Sequence, residues 1–211
     1  MNMKHIEQHD KYEKFQDKWI RAFLVNGELD SEYYVFVSLL NDRNNKYSNC
    51  GHLFIKYERE KNWKITDFEI NSTLRGMNYG SAMLLVAVNY IHQLNLNYPN
   101  ETQANKFYGE IGGIYLGDYK DGNIELSNDY WKLKDFYERN GFIFDDKRVF
   151  SRKLEQRSYL DWIDIISSNM RIRQLKIETA VLNAALKTYE SDVQFIKKSW
   201  IGKFLLKKRG S

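Results

Sequence analysis

Between an apolar, β-branched stretch and a dense helical pattern, the chain reads Arg75-Gly76-Met77-Asn78-Tyr79-Gly80-Ser81. Two of its twelve glycines fall in this one junction. A strand that turns through glycine into a helix N-terminus is an anion-binding device. The first helical amides have no partner within the helix, and the helix dipole adds positive charge there. Glycine serves where φ is positive or where a ligand must touch the backbone, and Asn tolerates the left-handed region better than other non-glycine residues. Arg75 adds a guanidinium suited to phosphate oxygens. A phosphate-bearing ligand is therefore expected over residues 75–81. No Gly-Lys-Ser/Thr follows, and the dinucleotide spacing Gly-x-Gly-x-x-Gly is absent, so neither of those phosphate loops is meant. Close strand–helix packing would ask for the same glycines.

The elements that must position this junction are read from the hydrophobic period. Residues 33–40, 51–57 and 63–70 are rich in β-branched and aromatic types and predict strands, the last two forming a hairpin. Residues 81–94 predict a helix, ended by the stretch that holds the only proline, Pro99. Residues 107–116 predict a glycine-interrupted strand. Residues 127–139 predict a helix capped by Ser127 or Asn128 and stopped by Asn140-Gly141, and residues 142–154 a final strand or strand pair. At the front, Ile6, Tyr12, Phe15, Trp19, Ile20 and Phe23 fall near a 3.6-residue period and predict a helix over 4–25.

No glycine or proline occurs between Phe142 and Ile201, so long helices fill the later part. There Ile172, Leu175, Thr179, Leu182, Leu186, Tyr189, Val193, Ile196 and Trp200 step by alternating threes and fours. That is the seam of a coiled coil, or of a helix folded back on its own domain. The chain thus divides into a domain over 1–154 and a helical extension over 155–211.

With 211 residues, 43% apolar and 15% aromatic, the chain can bury a core. Its net charge of +4 sits in the tail, where Lys197, Lys198, Lys203, Lys207, Lys208 and Arg209 follow Asp192 without an acid. Without those six, 26 basic residues face 28 acidic ones, about −2. The body therefore makes no case for nucleic acid. The tail sets Trp200, Phe204, Leu205 and Leu206 among its lysines. It would suit an anionic membrane surface, RNA or an acidic partner, but a frayed soluble helix end has the same composition.

The single Cys50 excludes an internal disulfide framework. His5, His9, His52 and His92 form no metal-ligand spacing with it, so no metal is expected, and His5 and His9 read as a solvated helix face. The longest apolar run, residues 82–88, is far short of the roughly 18–20 residues that span a bilayer. The N-terminus is polar, unlike a secretory leader, and a cytoplasmic setting is the expectation.

A second stretch, Phe136-Tyr137-Glu138-Arg139-Asn140-Gly141-Phe142, closes a helix and enters a strand. With it the chain resembles the GNAT superfamily, the acyl-CoA-dependent N-acyltransferases, over about residues 33–154. That family's pyrophosphate loop is Arg/Gln-x-x-Gly-x-Gly/Ala. Residues 75–80 follow it with Asn78 where the first glycine of the pair would stand. The family's second signature, a helix ending Phe-Tyr-Glu-x-x-Gly-Phe, matches residues 136–142. The resemblance implies an α+β fold, a mixed and mostly antiparallel sheet flanked by helices and splayed between the strands at 63–70 and 108–116. It implies acetyl-CoA as co-substrate, with pantetheine in the splay against the backbone around Ile70. The pyrophosphate would lie on Arg75, Gly76, Met77, Asn78, Tyr79, Gly80, Ser81 and Ala82.

The implied activity is transfer of acetyl to a primary amine by direct attack in a ternary complex. Tyr137 matches the tyrosine that, in many members, protonates the leaving thiolate. Some members carry a basic glutamate on the strand before the loop; that position is Lys64 here. Glu69, adjoining the splay, is then the expected base, with Asp67 on the same strand face, Glu110 and a water chain as alternatives. An asparagine often found seven residues before the tyrosine is replaced by Tyr130, with Asn128 two residues away. The acceptor is a small-molecule or protein amine, and the C-terminal helices would join two copies. The contrasting reading is an inactive scaffold of this fold whose helical arm docks a protein, RNA or membrane.

Overall fold

The helix expected over 4–25 is not formed. Lys11–Phe15 (β1) and Lys18–Asn26 (β2) make an antiparallel hairpin instead. In β2 the buried residues are Ile20, Ala22 and Leu24, a period of two, with Trp19, Arg21, Phe23 and Val25 on the other face. Large apolar residues on both faces blur that alternation into an apparent helical stripe. The tight turn between the strands is made by Gln16 at φ 53 and Asp17. The structure, a computed structural model, describes residues 6, 10–27, 32–45, 49–58, 60–113, 116–118, 122–154 and 158–199.

The hairpin opens an eight-stranded sheet completed by Tyr33–Leu40 (β3), Asn49–Glu58 (β4), Asn62–Ile70 (β5), Lys106–Glu110 (β6), Ile143–Phe144 (β7) and Val149–Lys153 (β8). Its order is β1-β2-β3-β4-β5-β6-β8-β7. Every neighbouring pair is antiparallel apart from β5–β6, which is parallel and short. It runs only from Asn62 opposite Lys106 to Ile65 opposite Gly109. Beyond Ile65, β5 continues on β4 to Ile70 while β6 leaves, and among the described residues no strand pairs with the free edge of 66–70. The sheet is mixed, mostly antiparallel and splayed at that point. The strand expected over 107–116 stops at Glu110; residues 114 and 115 lie outside the described residues.

The α-helices among the described residues are Tyr79–Asn97 (α1), Pro99–Thr102 (α2), Asn128–Arg139 (α3) and Ser158–Lys198 (α4). α1 is apolar around most of its circumference, and Ala82, Met83, Leu84, Val86, Ala87, Val88 and Ile91 are all buried. It packs on the face of β2 and β3 that carries Ala22, Leu24, Val35 and Val37. α3 begins as expected, with the Ser127 hydroxyl accepting from the Tyr130 amide at 3.0 Å, and ends at Gly141, φ 86.

One compact unit spans Met1–Met170, so it includes the first turns of α4. Trp162 there is fully buried, edge-on to Phe107 and Phe142, and donates its indole N–H to the Asn140 carbonyl at 2.7 Å. Burial of that ring contributes about 3–5 kcal/mol by the usual cost of truncation. The second unit, Arg171–Ser211, is a helix through Lys198, with Trp200 and the basic tail beyond it outside the described residues. His5 and His9 lie outside them as well. Among the described residues, no helix is long and apolar enough to cross a membrane.

Burial raises several tyrosines in the first unit. Tyr57, whose hydroxyl donates to the Gln103 carbonyl at 2.7 Å, is pushed up to about 12, chiefly by burial. Tyr79 is pushed up to about 12 by burial first and then by Asp17, and Tyr159 moves upward for the first of those reasons. A phenol with a raised folded pKa binds its proton more tightly when folded. Its stabilisation is intact below the unfolded value of about 10 and is lost as pH rises through about 12. Urea midpoints followed by tryptophan fluorescence should hold between about pH 7 and 10 and fall steeply between about 10 and 12.

Candidate functional site

β5 ends at Ile70, and a short turn of 3-10 helix over Ser72–Leu74 leads into the glycine junction. Asn71 caps that turn, its side chain accepting from the Thr73 amide at 3.1 Å. Arg75 reaches back, and its Nε donates to the Ile70 carbonyl at 3.1 Å, tying the guanidinium to the strand end. Gly76 sits at φ 88, where a side chain is strained. Asn78 is in the left-handed region, φ 67 and ψ 0, the conformation for which asparagine is the natural substitute for glycine. Its buried side-chain amide donates to the Met170 carbonyl at 3.1 Å instead of capping the helix.

The start of α1 is left without a side-chain cap. Ala82 N–H bonds the Asn78 carbonyl at 3.0 Å, the first helical turn holds no acid, and no side chain of Asn78 caps it. The amides of Tyr79, Gly80 and Ser81 precede the first internal bond of the helix. A Cβ at Gly80 would stand 3.1 Å from the Phe136 ring and 3.2 Å from the Ile70 side chain, so the loop, strand end and α3 meet there with no space for more. Amides without a partner inside the helix, a neighbouring guanidinium and glycine backbone are the groups that could hold a diphosphate here.

From Gly80 the contacts run on to the second signature. Phe136 stands edge-on to Phe68 at 5.7 Å and to Tyr137 at 5.1 Å. Tyr137 is buried, with its ring stacked on Phe150 at 3.6 Å and edge-on to Phe142 at 5.6 Å. One ring, Phe136, thus links the glycine turn to Tyr137. Tyr130 is a buried core residue whose hydroxyl donates to the Lys147 carbonyl at 2.6 Å, and Asn128 gives its amide to Asp118 at 2.7 Å.

The carboxylates lie on the other sheet face. Phe68 and Ile70 look toward α1 and Phe136, whereas Asp67 and Glu69 alternate outward, Glu69 exposed. Glu110 is exposed at the end of β6. Lys64 leans over the Tyr108 ring at 5.6 Å, and the Tyr108 hydroxyl donates to Glu58 at 2.6 Å. Two groups here escape sequence reasoning. His52 on β4 places Nε2 2.7 Å from the Asp67 Oδ2, both side chains partly buried. The β1–β2 turn braces the junction: Gln16 donates to the Met77 carbonyl at 3.4 Å, Tyr79 gives its hydroxyl to Asp17, and Phe15 meets the Tyr79 ring edge-on at 5.7 Å. Hydrogen bonds, first from Lys18 and then from Tyr79, hold the Asp17 carboxyl below the usual range. Only strand alternation at 51–57 hinted at the first, by setting His52 on one face with Phe54 and Lys56. Among the described residues no group of three or more His, Cys, Asp or Glu is placed to hold a metal.

No family model matches this chain, and no curated protein matches it. Among solved structures it is similar to a GNAT-family acetyltransferase from Staphylococcus aureus Mu50, at 14% identity and TM-score 0.40 over 58% of this chain and 68% of that one. It is similar to a putative GNAT-family acetyltransferase from Desulfovibrio desulfuricans, at 16% identity and TM-score 0.39 over 57% and 68%. A third, a putative streptothricin acetyltransferase from Bacillus anthracis solved in complex with acetyl coenzyme A, shares 12% identity and TM-score 0.38 over 71% and 97%. The architecture described above rests on the strand order and the parted β5–β6 pair, independently of these likenesses.

Proposed function

We propose that this chain is an acyl-CoA-dependent N-acetyltransferase acting on a primary amine. The observation that carries the reading is the parting of β5 from β6 beside an uncapped, glycine-flanked helix N-terminus. An extended, phosphate-ended thiol ester needs that combination. The open backbone edge of 66–70 receives the pantetheine amides around Ile70, and the loop receives the phosphates. Arg75, Gly76, Met77, Asn78, Tyr79, Gly80, Ser81 and Ala82 are the proposed binding set. Acetyl-CoA supplies the activated acyl group. The chain's part is to hold it extended, to exclude water around the Phe68–Phe136 contact, and to move protons.

Tyr137 is the proposed proton donor to the leaving thiolate, and the outward carboxylates Asp67 and Glu69 face the side from which an amine would come. Incubation with acetyl-CoA and a panel of primary amines should release thiol in proportion to an acetylated product. Release that is independent of amine would argue against transfer.

The arm is proposed to pair with a second copy. On the described helix Ile172, Leu175, Leu182, Leu186, Tyr189 and Ile196 are 46–68% exposed and fall on one seam, with Thr179 its polar member. Residues 171–198 make four heptads, about 42 Å of helix. Two such seams facing each other would bury on the order of 1,500 Å², the size of a standard stable interface. Light scattering at tens of micromolar should give twice the chain mass, and Leu182→Glu with Leu186→Glu should return it to the single-chain mass. A parent that stays at the single-chain mass would exclude the pairing.

A further inference from the structure

We propose that the sheet face turned away from the helices is the acceptor surface, fitted to an amine carried on a flat aromatic body, with His52 as its base. This rests on the transferase reading above. α1, α3 and the start of α4 pack on the face of Ala22, Val37, Leu53, Phe68 and Phe107. Among the described residues the opposite face carries half-buried side chains, and they are ordered. Phe23, Phe36 and Phe54 stand directly opposite one another on β2, β3 and β4, and Asp67 on β5 ends the row. Phe23 and Phe36 stack at 5.4 Å, Phe36 meets Phe54 at 4.7 Å, and His52 stacks on Phe54 at 4.7 Å.

Such a row gives a flat ring an apolar platform, and its π faces also attract a cation. The platform leads to the splay: Asp67 lies two residues past Ile65, the last β5 residue paired with β6. Asp67 and Glu69 place negative charge beside His52, at the end of the row away from Arg21, so the occupant's ammonium belongs at that end. The Arg21 guanidinium already lies over the Phe23 ring at 4.2 Å, so the aromatic end of the acceptor lies on Phe36 and Phe54, and its amine lies by His52.

The His52–Asp67 bond assigns roles. Nε2 carries the hydrogen and donates it to the Asp67 carboxylate, which leaves Nδ1 to accept. The ammonium gives one proton to Nδ1, and the neutral nitrogen attacks the thioester carbon. The C–N bond forms, the nitrogen sheds its second proton to solvent, and the C–S bond breaks. The thiolate takes its proton from Tyr137, which recovers one from solvent, and His52 returns its own to solvent. Asp67 stabilises the imidazolium and fixes the ring, as a positioning residue. The groups facing His52 are Asp67 and Glu69 on β5 and Ser38 on β3, with Arg21 next in the same row on β2.

Saturation-transfer NMR with phenethylamine and with butylamine tests the platform, and calorimetry with acetyl-CoA on the same sample tests the transferase reading. Phenethylamine should receive saturation first at its ring protons, butylamine little. Phe36→Leu, which keeps an apolar side chain there, should weaken the aromatic amine about tenfold. With phenethylamine as substrate, His52→Gln should lower kcat about 10²-fold at neutral pH with KM little changed, the deficit shrinking as pH rises and the amine loses its own proton. Equal saturation of both amines, a Phe36→Leu variant that binds like the parent, or a His52→Gln variant with the parent's pH profile would each overturn the proposal. A parent that takes the ring probe but gives no heat with acetyl-CoA supports the platform and overturns the transferase reading.

Discussion

Tyr137→Phe should lower turnover about 10²- to 10⁴-fold while acetyl-CoA binds as it does to the parent. The reason lies in how the ring is held. Tyr137 stacks on Phe150 with 19° between the planes and stands edge-on to Phe142 and Phe136, so phenylalanine can take the same place with the same contacts. The substitution removes one hydroxyl, a change in stability of about 0.5–1.5 kcal/mol. What it removes chemically is larger. A thiolate leaving without a proton rebinds the carbonyl carbon more readily than it departs, and a positioned acid prevents that return. A residue that only fills the core would show the reverse pattern, with stability changed and turnover intact. Measuring kcat beside the acetyl-CoA dissociation constant separates the two.

Gly80→Trp should weaken acetyl-CoA binding by at least about 100-fold, some 3 kcal/mol. A Cβ alone at that position presses on Phe136 at 3.1 Å and Ile70 at 3.2 Å. An indole must therefore turn outward, over the amides of Tyr79 and Ser81 where the phosphates are to lie, or push α3 away and with it Tyr137. Overpacking there costs about 1–3 kcal/mol of stability, so the variant is read beside a milder one. Arg75→Ala adds no bulk; it removes a guanidinium together with its bond to the Ile70 carbonyl, and about tenfold weaker binding is expected from the loss of one charge-assisted bond to the ligand. Parent-like affinity in both variants would mean that no diphosphate sits on this loop.

Much of the positioning frame was legible in the sequence because its signals are local. The strand Tyr33–Leu40 and the cap Ser127 stand where residue type alone placed them. The left-handed Asn78 was legible because only asparagine, among the non-glycine residues there, tolerates that conformation well. The resemblance to the acyltransferases anticipated the mixed sheet and its parting, which falls just beyond the Ile65–Gly109 pair. The N-terminal hairpin was not legible. Trp19 and Phe23 on one face of β2 and Ile20, Ala22 and Leu24 on the other leave no polar face to reveal a period of two.

With that hairpin went its consequence for the site, since Gln16 and Asp17 reach Met77 and Tyr79 across more than sixty residues of chain. His52 and Asp67 were hidden for a similar reason. Their meeting depends on the β4–β5 register, which shifts at a bulge between Phe54 and Ile55. No residue type announces where a bulge falls. The outward face of Asp67 and Glu69 could be counted from alternation, but not which of them would hold a histidine.

Hydrogen–deuterium exchange with and without saturating acetyl-CoA tests the central claim most directly, because it reports where the ligand sits as well as whether it binds. Slower exchange is predicted in peptides covering residues 66–82, from the open edge of β5 through the first turn of α1, with the arm beyond residue 171 unchanged. No slowed peptide, or slowing confined to the arm, would contradict an acyl-CoA site at the glycine junction.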